Sequence, residues 1–169
     1  MSYNSKVYMK QEADEMVVAS GGAITAQSGA KLDAQSGSIV TGLALSIRTR
    51  ATVAQANAGL TLLAALDGYK YRLIDATMIA IGGNVATVTT LDILGTQAAS
   101  EVKLVAFAQA QLLRSVVLRP GITGAAVLAD GASFAVCDEN TAIRLLKTGT
   151  DAATATHVDV VLTYTVEAA

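Results

Sequence analysis

An eight-residue repeat near the amino terminus constrains the fold of this chain more than any other feature. The segment Ser20–Gln27 is followed by Ser28–Gln35 and then by Ser36–Gly42, and the unit reads Ser-Gly-x-x-apolar-x-Ala-Gln. A period of eight is not a helical period. The apolar-x-small stretch in each unit is typical of a short strand, and Ser-Gly is typical of a turn, because glycine accepts positive φ without a steric penalty.

The repeat cannot form a hydrophobic core by itself, because each short strand buries only one large apolar residue and one small residue. Stacked units, or the same segment from several chains, would form a continuous core. We therefore expect an intertwined β-stalk over residues 16–42 of a homotrimer. The large apolar residues that would stack around its threefold axis are Met16, Ile24, Leu32 and Val40. The alternatives are a flexible Gly/Ser linker and a single-chain β-meander, but a linker has no reason to keep an aliphatic residue at every eighth position.

The charge content supports burial of surface against other chains. Only 15% of the residues are charged and 52% are hydrophobic, whereas soluble domains usually have about 25% charged residues. The net charge of −2 argues against a nucleic-acid binder, which needs a basic face. No run reaches the ~20 apolar residues that span a bilayer, and the polar amino terminus does not resemble a secretory signal. We expect an intracellular, self-associating protein with no membrane partner.

Residues 43–169 are predicted to form a β-rich head domain. Alternating or β-branched segments separated by glycine turns favour an antiparallel β-sandwich or jelly roll over an α/β fold. Ser100–Arg114 fits a helix or a strand, and the sequence leaves both open. The strands that we expect are Leu43–Arg50 (with Leu43, Leu45 and Ile47 inward), Tyr69–Ile81, Val85–Leu94, Ser133–Cys137, Thr141–Lys147 and His157–Glu167. The link Gly82–Asn84 predicts a hairpin between the second and third of these, and Lys147–Asp151 reads as a loop.

The residue types that carry chemistry are scarce and isolated. Cys137 is the sole cysteine and His157 the sole histidine. We expect Cys137 to be a small buried hydrophobic residue and His157 to be a surface or interface residue, although a Cys–His pair is conceivable. Asp138-Glu139 reads as a solvated turn, since a calcium site needs more oxygen ligands.

Two tyrosines, Tyr69 and Tyr71, share one face of a strand. They favour a packed sheet edge over a platform that binds sugars. There is no phosphate loop and no dinucleotide fingerprint. We therefore predict no catalytic residue, no metal and no cofactor.

Several stretches together resemble a known class of protein. A short arm leads into the octad repeat, and the stretches that follow are Ala58–Leu63, Gly68–Asp75, Ala80–Thr90 and Lys147–Tyr164. This combination is similar to small virion proteins of tailed bacteriophages, in particular head decoration (cement) proteins. The resemblance implies trimers, made in the host cytoplasm, that sit on the outer capsid surface and clamp neighbouring major capsid subunits. A β-stalk joined to a β-rich head also occurs in tail fibres and spikes, which are the alternative, and a small hydrolase is the remote third class.

The amino-terminal arm, residues 1–15, is the expected capsid contact. It lacks a strong period and has no evident partner within the chain. Its apolar and aromatic side chains gain little from water and are of the types enriched in interfaces; they are Tyr3, Val7, Tyr8 and Met9. An extended segment of this length reaches about 50 Å, far enough to cross onto a neighbouring capsid subunit.

Overall fold

A computed structural model describes residues 7–9, 16–18 and 41–169, and the chain divides into two units, Met1–Ser38 and Ile39–Ala169. In the first unit, β1 (Val7–Met9) pairs antiparallel with β2 (Met16–Val18), and Met9 lies opposite Met16. The prediction that the arm has no partner within the chain is therefore wrong. The backbone amides of β1 gain hydrogen-bond partners from β2, which satisfies groups that an isolated extended arm would leave to water.

The second unit is built almost entirely from strands, joined by one short helix, α1 (Val53–Ala58), and by 3₁₀ segments at Gln109–Gln111 and Ala129–Phe134. The second of these segments is kinked at Asp130 and Gly131, which have positive φ. The strands are β3 (Leu45–Thr52), β4 (Leu60–Leu63), β5 (Tyr69–Ile81), β6 (Ala86–Gln97), β7 (Ser100–Ala108), β8 (Val117–Leu118), β9 (Ala125–Val127), β10 (Ile143–Ala153) and β11 (His157–Ala168). The ambiguous segment Ser100–Arg114 is thus a strand followed by a single 3₁₀ turn.

Two antiparallel sheets make up this unit. One has five strands in the order β4-β10-β6-β7-β9, and the other has four in the order β3-β11-β5-β8. The expectation of a mainly β, sandwich-like unit is confirmed. At one side of the unit α1 connects the edge strands β3 and β4, and at the other side the edge strands β8 and β9 follow each other in the chain.

The core lies between the inward faces of the sheets and follows the period of two that a strand imposes. On β11, Val158, Val160 and Leu162 are all at most 1% exposed, as the sequence predicts. The partner β5 contains a bulge: Thr163 lies opposite Asp75 and Tyr164 opposite Leu73, which leaves Ile74 unpaired and 42% exposed. The extra residue lets both halves of β5 turn their apolar side chains inward.

Four sequence predictions about local structure are wrong. Strands β5 and β6 do not form a hairpin, because the Gly82–Asn84 link passes from the four-stranded sheet to the five-stranded one. The expected loop Lys147–Asp151 continues β10, and the expected strand Ser133–Cys137 is mostly 3₁₀ helix and bend. Leu43 precedes β3 and is 55% exposed, so it does not face the core.

Candidate interaction surfaces

The structure describes the backbone of half of the predicted interaction residues. Val7, Tyr8 and Met9 form β1, and Met16 opens β2. The other candidates lie outside the described residues; they are Tyr3, Ile24, Leu32 and Val40. The stacking of the octad residues around an axis and the contact of the arm with a capsid both stay predictions.

The single cysteine and the single histidine lie far apart. Cys137 is 1% exposed, its amide donates to the carbonyl oxygen of Tyr71 at 2.7 Å, and burial raises the pKa of its thiol. His157 lies opposite Ile81, ten residues along β5 from Tyr71, which corresponds to about 33 Å of strand. No Cys–His pair forms, and Cys137 is the buried small side chain that the sequence predicts.

The turn at Asp138 is not simply solvated. The Asp138 carboxylate accepts hydrogen bonds from the amides of Ala98, at 3.2 Å, and Ala99, at 2.7 Å. Both alanines have positive φ, of 51° and 59°, a backbone conformation that is unfavourable for residues with a Cβ atom. The carboxylate therefore fixes the turn between β6 and β7, and its role is structural.

The tyrosine pair also serves packing. Tyr71 is 6% exposed, its hydroxyl donates to the carbonyl oxygen of Ala64 at 2.6 Å, and its ring meets that of Tyr164 edge-on with centroids 5.7 Å apart. Such aromatic pairs add to the apolar burial energy. The interpretation as a packed edge is confirmed for Tyr71, which presents no open ring face for a sugar.

A charged cluster covers the outer face of the four-stranded sheet near the edge strand β3. Asp159 is only 2% exposed. Arg50 donates two hydrogen bonds to its carboxylate, from Nε to Oδ1 at 2.7 Å and from Nη2 to Oδ2 at 2.9 Å. Arg48 also donates to Oδ2. The hydrogen bond from Arg50 is the main cause of an Asp159 pKa well below its usual range. The arginines lie over the sheet face and tie β3 to β11.

A second buried carboxylate lies on the outer face of the five-stranded sheet. Asp92 is 1% exposed, and its Oδ2 accepts from Thr148 Oγ1 at 2.7 Å and pairs with Lys103 Nζ at 3.0 Å. This contact joins β6, β7 and β10. Among the described residues, Asp92 Oδ1 and the hydroxyl of Thr90 have no hydrogen-bond partner.

The edge of the unit formed by β8, β9 and their flanking turns is apolar and exposed. Seven large hydrophobic side chains of the described chain are notably exposed, and five of them lie between residues 113 and 127. They are Leu113 (41%), Val116 (40%), Val117 (46%), Ile122 (49%) and Val127 (39%). We call residues 113–127 the apolar edge segment.

The opposite edge, formed by α1, β4 and the residues after β4, is uncharged and lined with small side chains. Residues 51–66 contain no Asp, Glu, Lys or Arg, and the exposed positions include Ala54, Ala58, Ala64 and Ala65. We call residues 53–66 the small-residue edge. This surface is not among the predicted ones, although the long uncharged stretch between Arg50 and Asp67 is visible in the sequence.

The parts of the chain that the structure describes form no pocket, and they bring no three acidic, histidine or cysteine side chains together as a metal site would require. None of the helices within those same residues is long and apolar enough to cross a membrane. Comparison with protein-family models, curated proteins and solved structures found no match to the chain.

Proposed function

We propose that this chain is a structural virion protein that binds the outer capsid surface of a tailed bacteriophage as a homotrimer and stabilises contacts between major capsid subunits. It has no catalytic step in this account. The protein would attach through the surface area that it buries and through multivalency. Three linked copies turn weak single contacts into strong attachment through effective concentration.

The observation that carries the proposal is the apolar edge segment. Soluble monomers rarely leave large apolar patches in water, and such patches usually mark interaction sites. Here Leu113, Val117 and Ile122 are each more than 40% exposed, in a chain whose charged content is only 15%. A protein whose surface is made to be covered by other subunits fits a virion component better than it fits a freely diffusing domain.

The octad repeat supports the trimer, and the β1–β2 hairpin supports a changed form of the capsid contact. Because β1 folds back on β2, the arm reaches less far than an extended chain, and the hairpin would dock as a unit on the capsid. Tyr3, Val7, Tyr8 and Met9 remain the candidate contacts, with the β-rich unit pointing outward.

The test deletes residues 2–14 from the full chain and measures binding to undecorated heads. We expect binding to be lost while light scattering still reports about three times the chain mass. A matched control, Tyr3→Ser with Tyr8→Ser, keeps the length of the arm and should weaken binding without changing the oligomer. Wild-type affinity in the deletion would place the capsid contact on the β-rich unit, and failure of the wild-type protein to bind heads would reject the function.

The alternative is a tail fibre, spike or receptor-binding component, because a repetitive β-stalk followed by a β-rich unit also suits those proteins. The repeat between Ser20 and Gly42 favours both assignments equally. They differ in where the protein sits on the particle, and binding to purified tails in the same assay would favour the alternative.

A further inference from the structure

We infer that the two edges of the β-rich unit bind each other in neighbouring copies, with the apolar edge segment of one copy packed on the small-residue edge of the next. The inference rests on the trimer of the proposed function. It assigns to that trimer a second contact, separate from the octad repeat and made by residues 53–66 and 113–127.

The sheet topology places these two surfaces at opposite ends of the strand order. Strands β3 and β4 are the first in their sheets, and β8 and β9 are the last. Helix α1 lies between β3 and β4 in the chain, with its cap secured by Thr52, whose hydroxyl accepts from the Gln55 amide at 3.1 Å. A single copy therefore cannot bring its own two edges into contact.

The exposed side chains of the two surfaces differ in size. Large branched side chains project from one edge, with Val117 and Ile122 46% and 49% exposed. The other edge offers exposed methyl groups, such as those of Ala54, Ala58 and Ala65. Small residues allow close approach of a neighbouring backbone, and large side chains packed into the space between them exclude water, as in the buried centre of an interface.

The apolar edge segment carries positive charge, and a negative charge borders the small-residue edge. The apolar edge segment contains Arg114 and Arg119 and no acidic residue. The small-residue edge contains no charge; on one side Arg50 is already bound to Asp159, and on the other side Asp67 follows directly. The side chains of Arg114, Arg119 and Asp67 are exposed. None of the ion pairs within the described residues involves any of these three side chains. Opposite charges at the rim of an apolar contact favour one orientation and disfavour others.

A contact between two different surfaces is heterologous, so two copies in contact still leave one free surface of each kind. Such contacts continue until they close into a ring or extend into a filament. In the proposed trimer the ring closes after three copies, and every apolar edge segment is then covered.

The test places one cysteine on each edge of the full chain, Ala58→Cys and Ile122→Cys, and adds a flexible bismaleimide cross-linker, which tolerates a range of registers. Both positions are exposed, whereas native Cys137 is 1% exposed and wild-type protein serves as its control. We expect covalent trimers on a denaturing gel from the double variant and no cross-linked species from either single variant. An equimolar mixture of the single variants should give dimers only.

A matched control keeps Ala58→Cys and moves the second cysteine to Ser100, the exposed first residue of β7. This pair should not cross-link. Self-cross-linking of a single variant would show that like surfaces meet, and it would overturn the inference. A double variant that is trimeric by light scattering but does not cross-link would also overturn it, with the trimer left intact. A monomer in both measurements would reject the trimer of the proposed function itself.

Discussion

Replacing Asp159 by Asn tests whether the buried carboxylate under two arginines stabilises the fold. Asp159 is 2% exposed and accepts one hydrogen bond from Arg48 and two from the guanidinium of Arg50. Hydrogen bonds to charged groups contribute about 1.5–3 kcal/mol each, but the arginine side chains are 62% and 53% exposed, where solvent screens the attraction. We expect the variant to lose about 2 kcal/mol of unfolding free energy at neutral pH.

The loss should depend on pH with a defined sign. The folded-state pKa of Asp159 lies well below its usual range, and the unfolded value is about 3.9. The stabilisation is therefore fully present above about pH 5 and is lost as the pH falls towards the folded pKa. Between pH 6 and pH 3 the gap between wild type and variant should shrink by about 1 kcal/mol, because the unfolded wild type takes up a proton that the folded state does not.

Urea unfolding at the two pH values, followed by circular dichroism, measures the gap. Glu167→Gln is the matched control, since Arg72 binds Glu167 with the same fork at 2.6 Å and 3.1 Å but both side chains are about 40% exposed. That control should cost less than about 1 kcal/mol. Equal losses in the two variants, or a gap for Asp159→Asn that does not change with pH, would refute the reasoning from burial.

Three further changes test the packing and the repeat. Gly95→Ala should cost about 1–3 kcal/mol in urea unfolding, because the new methyl would lie 2.8 Å from Cys137 Sγ, and adding Cys137→Ala should recover part of the loss; a neutral Gly95→Ala would contradict the packing. Thr52→Ala removes the cap of α1 and should cost about 1 kcal/mol in the same assay. Leu32→Asp should sharply lower the melting temperature of the trimer, because three carboxylates would share an apolar layer, whereas Lys31→Asp should change the stability by no more than about 0.5 kcal/mol. Equal melting of those two variants would reject the assigned inside and outside.

The long strands could be predicted from the sequence because their alternation is regular. Strand β11 matches its predicted residues almost from end to end, and β5 matches fully. The bulge at Ile74 shifts the buried positions of β5 from odd to even residue numbers. It could not be predicted, because the half-buried Ile79 and Ile81 obscure that shift in the sequence and the bulge depends on the partner strand. The sequence also does not show which sheet each strand joins. Gly82–Asn84 has the composition of a hairpin turn, but the chain there passes from the sheet of β5 to the sheet of β6.

The other misses arise where tertiary contacts outweigh composition. Lys147–Asp151 reads as a loop from its Thr, Gly and Asp residues, but β6 pairs with Lys147, Thr148 and Gly149 and extends β10. Helix α1 is absent from the elements that we expected, although Thr52 and Gln55 form a capping box whose Thr-x-x-Gln spacing is visible in the sequence. Neither edge surface could be found from periodicity, because exposure at a sheet edge depends on strand order.

The most direct test of the account is electron microscopy of the intact particle with the chain labelled at its carboxyl terminus. Ala168 and Ala169 are exposed, so a small tag there should leave the sheets undisturbed. We expect trimeric density distributed over the outer surface of the head, between neighbouring major capsid subunits. Label confined to the tail, or a particle that carries none of the chain, would contradict it.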